Sequence, residues 1–409
     1  MRTSPHRLLI ASCLAITLVA GILAPALGQE GHNPFATPAA PQSGTWLLLD
    51  QRDLGIEGEL VALSPDGQWI AGIGPDLNRF CVWNVDTGEA ACDVEQQPVL
   101  ADSIAWAPDS TAVAYSLNAH IQLYDSDIFI FEIESGESVN LTDDGYEGSI
   151  PLGEDIEVDE LPLDVYPAWT PDGESLVFAR TEWLAAQPTT ELWTIARSGG
   201  QPESLHTVRD DYPLAISSPL FPLKDGSLLY SVYVNESDDP GNGIWRLDPE
   251  GEATQTLPGA MNETFPIPAL VDVREDESGT IASGYSRGLA TQGPVVSPIA
   301  FTLDIATGAA GFVEIDGPIG TWVTPFRWAP DGVSTIAIES RQTVRYLVIT
   351  GPDGGTLDLD IHEGGRYVNS RGIDWASNDT ILMPEFASGG LLLVVGQGGE
   401  PAATPVAGT

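Results

Sequence analysis

Short apolar runs bounded by turn residues fill the chain, and nowhere in its body do apolar positions keep a helical period across ten residues. Four of these runs follow nearly the same corner: "LSPDGQWIAGI" from Leu63, "WAPDSTAVAYS" from Trp106, "WTPDGESLVFAR" from Trp169 and "WAPDGVSTIAIE" from Trp328. Pro sets φ at the first corner, Asp caps the turn through its side chain, and Gly takes the positive φ that closes a tight hairpin. The run after the corner is apolar at successive positions, so both faces of that strand should be covered by neighbouring sheets.

Aligning the corners places the repeat at Asp66, Asp109, Asp172, Asp225, Asp276, Asp331 and Asn378, spaced by 43, 63, 53, 51, 55 and 47 residues. The fifth corner, in "VREDESGTIASGY", and the seventh, in "WASNDTILMPE", are recognised mainly by their place. Each of the first six units then carries a second hairpin, such as "VWNVDTGEAAC" or "LWTIARSGGQPESL". Four short antiparallel strands per unit predict an all-β, seven-bladed β-propeller rather than a stack of helical repeats, which Gly and Pro would interrupt in every unit. The seventh unit runs into the proline-rich "GEPAATPV", while "TWLLLDQRDL" (Thr45 to Leu54) stands ahead of the first unit without a blade of its own. That N-terminal strand is expected to complete the last blade and close the ring.

The W-T/A-P-D-G phrase followed by an apolar strand, with "DIFIFEIESGESVNLTDD" after it, resembles the TolB-type, WD-like β-propeller repeat of exported bacterial proteins, from about Gly58 to Gly399. The resemblance implies the propeller fold and, less specifically, a protein-binding role in the cell envelope.

Composition adds a location and removes one class of partner. Arg2 and Arg7 precede the apolar run Leu8 to Leu27, so residues 1–28 read as an export signal. An uncleaved membrane anchor, or a lipoprotein box at Cys13, would use the same residues. Residues 29–44 and 401–409 read as flexible flanks, leaving 45–400 for the propeller, as an expected monomer in the periplasm, on the cell surface or secreted. With 16 Lys+Arg against 59 Asp+Glu the net charge is −43, which excludes nucleic acid as a partner because phosphates need clustered cations.

Candidate chemistry is sparse. Cys81 and Cys92 flank the "DTGE" turn, so a hairpin sets them opposite each other, and export favours a disulfide; two free thiols or a metal pair are the alternatives. "GYSRG" (Gly284 to Gly288) fits a nucleophile elbow in pattern, but Ser286 is followed by "LATQGPVVSP" rather than a helix. His120, His206 and His362 fall in different units, so neither a metal nor any other cofactor is expected. The acidic insertion Asp143 to Asp164 reads as a solvated loop, with Ca²⁺ binding through its oxygens as the alternative.

Long connections should gather on the face that joins strands 2 to 3 and 4 to 1, which makes that face the expected binding surface. Arg180, Arg287 and Arg341 each end a second strand there and, with Trp183, form the candidate ligand site, for an acidic peptide or sugar acid. Neighbouring carboxylates such as Glu182 and Glu339 compete for the same guanidiniums. The reading is an exported, non-catalytic propeller that binds a protein, peptide or glycan. Its alternatives are an enzyme acting in the central channel, marked by carboxylates or a His converging there, and a purely structural envelope module.

Overall fold

A computed structural model of the chain describes residues 46–75, 79–93, 98–117, 125–146, 162–182, 188–216, 218–234, 239–259, 268–276, 279–286, 299–312, 322–323, 327–341, 344–351, 355–361, 373–377, 379–385 and 389–397. These residues form seven antiparallel sheets. Apart from a single turn of 3₁₀ helix at Ala101–Ser103, the regular structure is all β.

Blade 1 comprises Glu59–Leu63, Trp69–Ile73, Phe80–Asn84 and Ala90–Cys92, in that order from the inside outwards. Blades 2 to 4 repeat this arrangement, and in blade 5 Asp276 opposes Gly279, so the degenerate fifth corner is a real hairpin. The inner strand of blade 6 is split into Trp322–Val323 and Arg327–Trp328, both paired to Thr335–Arg341. Blade 7 takes Asp374–Ser377, Thr380–Glu385 and Gly389–Gln397 from the C-terminal end of the chain. Its fourth strand is Trp46–Asp53, antiparallel to Gly389–Gln397 from Trp46 opposite Gln397 to Asp53 opposite Leu391. The ring is closed as the repeat count required.

The corner chemistry works as its residues dictate. Gly67, Gly173, Gly226 and Gly332 all have φ between 68° and 84°. The backbone N–H two residues after the Asp donates to its Oδ1 at Asp66, Asp109, Asp172, Asp225 and Asp331. Tryptophans at the end of inner strands tie blade to blade: the indole N–H of Trp106 donates to the Ala62 carbonyl at 3.1 Å, Trp169 to Ala105 at 3.0 Å, and Trp375 to Arg327 at 3.3 Å. Between those ties, the apolar faces of adjoining blades merge into clusters, such as the one that joins Leu60, Ile70 and Trp83 of blade 1 to Leu382 and Leu392 of blade 7. Cys81 opposes Cys92 in the outer hairpin of blade 1 and the two form a disulfide.

Candidate functional site

The seam between blades 2 and 3 departs from this apolar pattern. Asp125, Ser126 and Asp127 lie just ahead of the third strand of blade 2, Ile128–Glu132. Asp164 lies in the first strand of blade 3, Leu163–Trp169, and Arg180 in its second, Ser175–Thr181, in register with Asp164. All these positions are strand ends on the long-connection face, and Asp144 joins them from the segment that leaves blade 2.

The seam is built by main-chain ties first. Asp164 N–H donates to the Ser126 carbonyl at 2.7 Å, and the Ser126 hydroxyl is within hydrogen-bonding distance of the carbonyls of Asp164 and Leu117. Arg180 donates through Nε and Nη2 to the two carboxylate oxygens of Asp164, both at 2.7 Å, while its guanidinium lies 4.6 Å from the centre of the Trp193 ring. Asp127 accepts from the Asn140 amide at 2.7 Å and from the Thr142 hydroxyl at 3.2 Å. Asp125 has only 2% of its surface accessible, and its Oδ1 has no hydrogen-bond partner.

Burial sets the electrostatics of this group. Loss of solvent, reinforced by the charges of Asp127 and Asp144, pushes the Asp125 carboxyl up to about 8. Desolvation raises Asp127 to about 6, against the pull of its Asn140 hydrogen bond, and also raises Asp144. Asp164 is raised too despite its bidentate partner, because complete burial outweighs the attraction of one guanidinium. Four acids therefore surround a single cation at this seam.

Backbone strain falls on the same side of blade 3. Among the described residues only Ser110, Tyr166 and Leu214 are non-glycine residues with positive φ, and Ser110 replaces the usual corner glycine. Tyr166, at φ 56°, sits in the bulge two residues after Asp164. Leu214, at φ 55°, is held by its N–H on the Thr181 hydroxyl, in the connection that leaves blade 3. Such conformations persist where the surroundings over-determine them, often at ligand sites.

The residues expected to meet a ligand have separate fates. Arg180 is committed to Asp164 rather than to Glu182. Arg341, three blades away, pairs with Glu339 at 2.5 Å and Asp358 at 2.6 Å and lies over the Tyr346 ring. Trp183 and Arg287 lie outside the described residues, as do His120, His362 and most of the acidic insertion; Ser286 ends the second strand of blade 5. Among the described residues, no three His, Cys, Asp or Glu side chains converge to hold a metal ion. Sequence reasoning missed Asp125 and Asp127. Their signal is the "DSD" that opens a third strand, a polar triplet before an apolar strand, which reads equally well as an ordinary loop.

No protein family and no curated protein matches this chain in sequence. Solved structures do share its fold. An oligogalacturonate lyase in complex with manganese superposes with a TM-score of 0.55 at 11% identity, over 87% of this chain and 98% of that one. The oligogalacturonate lyase of Vibrio parahaemolyticus gives 0.53 at 12% identity, over 86% and 98%. TolB from Acinetobacter baumannii gives 0.43 at 16% identity, over 76% of this chain and 65% of that one, so the match spans less than two thirds of TolB.

These neighbours correct one expectation. Absence of a familiar catalytic motif suggested a non-catalytic protein, yet the same propeller forms the body of lyases. A propeller supplies a rigid frame, and the residues mounted on it decide between binding and chemistry. The described residues thus form a seven-bladed β-propeller.

Proposed function

We propose that this chain is an exported propeller that binds a basic segment of a protein or peptide on its long-connection face, above the seam of blades 2 and 3. The observation that carries the reading is the group Asp125, Asp127, Asp144 and Asp164 around Arg180. Burying carboxylates against one guanidinium costs folding free energy, and acids with perturbed ionisation are enriched at functional sites. Export rests on residues 1–28, which would be removed, with 29–44 and 401–409 as flexible flanks of the propeller.

Arg180 and Arg341 then serve to orient carboxylates, and Trp183 and Arg287 complete the ligand-facing surface. Local charge sets the ligand's sign: the exposed Asp143 and Asp144 at the seam would repel an acidic peptide and attract a basic one. The test is binding of lysine- and arginine-rich peptides, with acidic peptides as controls, to the full protein at two salt concentrations. Basic peptides should bind, weaken with salt, and lose about tenfold in affinity with Trp183→Ala, with the melting temperature unchanged. Equal binding of acidic peptides, or indifference to Trp183→Ala, overturns the reading.

A further inference from the structure

The flank of blade 1 holds an open cavity of about 380 Å³, far in sequence from the seam of blades 2 and 3. Its existence follows from residue sizes along the outer hairpin. Side chains of the third strand, Phe80–Asn84, alternate between faces, so Cys81 and Trp83 share one of them. Opposite them on the fourth strand stand Cys92 and Ala90, whose side chains lie on that same face. The methyl group of Ala90 leaves part of the facing indole uncovered, and Gly88, in the turn before it, adds no side chain. Across the gap runs the connection that leads from the outer strand of blade 7 into blade 1. At Gly55 it too leaves room, with no atom within 4 Å of the place a Cβ would take.

The walls are held by the fold itself. Ile56 and Trp83 are packed in the cluster that joins blade 1 to blade 7, and the surface they keep open forms an apolar floor. Gly58 brings the connection so close to the Trp83 ring that a Cβ there would meet it at 2.9 Å. The Cys81–Cys92 disulfide pins the strand that carries Ala90 to the strand that carries Trp83. Two charged side chains complete the lining, and they come from different walls: Glu57, exposed, from the connection, and Arg79, half-buried, from blade 1.

We propose that this cavity binds a small zwitterion with an apolar side chain, an apolar amino acid or a short apolar peptide, its carboxylate on Arg79 and its ammonium on Glu57. The volume lies in the range of small-molecule sites, about 300–1,000 Å³, and the lining has their composition: a mostly apolar surface with a few polar groups that fix orientation. Arg79 has a contact of its own within the fold, and a guanidinium carries enough N–H donors to take a carboxylate besides. Charge narrows the class further. A simple carboxylic acid meets both Glu57 and a molecular net charge of −43, and a simple amine meets Arg79. A zwitterion offers each residue its complement and carries no net charge for the rest of the surface to oppose.

The experiment is calorimetric titration of the full protein with leucine, phenylalanine and tryptophan, and with alanyl-leucine and alanyl-phenylalanine, each also with its ammonium acetylated or its carboxylate amidated. At least one zwitterionic series should bind, the tighter series identifying the source, and either block should weaken it about tenfold. Arg79→Gln should erase the difference between free acid and amide, and Glu57→Gln the difference between free amine and acetylated form. Each ratio is measured within one variant, so a change in stability does not imitate it. Ala90→Phe, at an exposed position beside Trp83, should fill the cavity, melt like the parent and bind neither series. No binding by either series, blocked forms that bind as well as the zwitterions, or affinity that survives Ala90→Phe would overturn the proposal.

Discussion

Asp125 shows how a single buried carboxyl reports on its surroundings. An acid whose pKa is raised by folding holds its proton in the native state while the unfolded chain releases it near pH 4, so the unfolded state gains as pH rises. The penalty begins above the unfolded value and grows until the native carboxyl itself ionises at about 8. The protein should accordingly lose stability between pH 4 and 8. Asp125→Asn removes that titration, so the variant should exceed the parent at pH 8 by a few kcal/mol, on the order of the pKa shift at about 1.4 kcal/mol per unit, and match it near pH 4. Thermal melts across that range check this. Arg180→Gln should act in the opposite sense, since it strands Asp164 in a fully buried place; a loss of roughly 3–5 kcal/mol is expected in urea unfolding.

Strand Trp46–Asp53 closes the ring by completing blade 7. It covers the edge of Gly389–Gln397, and Trp46 is buried in the cluster that joins blades 6 and 7, 6.3 Å from the Trp375 ring centre. Gly351 permits that packing, because a Cβ there would overlap the Trp46 indole. Trp46→Ala should cost about 3–5 kcal/mol through lost contacts and the cavity left behind. Deleting residues 45–54 should produce oligomers on size-exclusion chromatography, since it exposes a complete strand edge. The Cys81–Cys92 disulfide, with a sequence separation of 11, acts only on the outer hairpin of blade 1. Reduction should lower stability by roughly 3 kcal/mol at most and leave the ring assembled, as near-unchanged circular dichroism would show.

At the scale of the molecule, a net charge of −43 makes the surface repel itself. Added salt should raise the melting temperature steadily up to about 0.5 M, because screening shortens the range of that repulsion. A melting temperature that falls or stays level would mean that surface ion pairs, such as those of Arg209 with Asp211 and Asp239, outweigh the general repulsion. The intact mass of protein recovered from an exporting cell should correspond to a start near residue 29, and a full-length mass would favour the anchor.

Blade number, strand order within each blade and closure by an N-terminal strand were legible in the sequence, because each depends on local chemistry: a Pro-Asp-Gly corner, a run of apolar residues, a count of hairpins. Even the disulfide followed from a turn midway between two cysteines. The site was legible only in fragments. Arg180 was singled out, but its partner Asp164 lies 16 residues earlier in the chain, and only strand register brings the two side chains together. Asp125 and Asp127 gain their character from burial against blade 3, which no local pattern announces. The ends of the inner strands of blades 5 to 7 are the clearest case. "AW" in blades 2 and 3 becomes "RW" at Arg327 and "DW" at Asp374, a change visible in the sequence, yet without meaning there. Closing the ring sets Arg327 and Asp374 close enough to Asp272 to act on its charge, and desolvation and mutual charge, which depend on distance through space, do the rest.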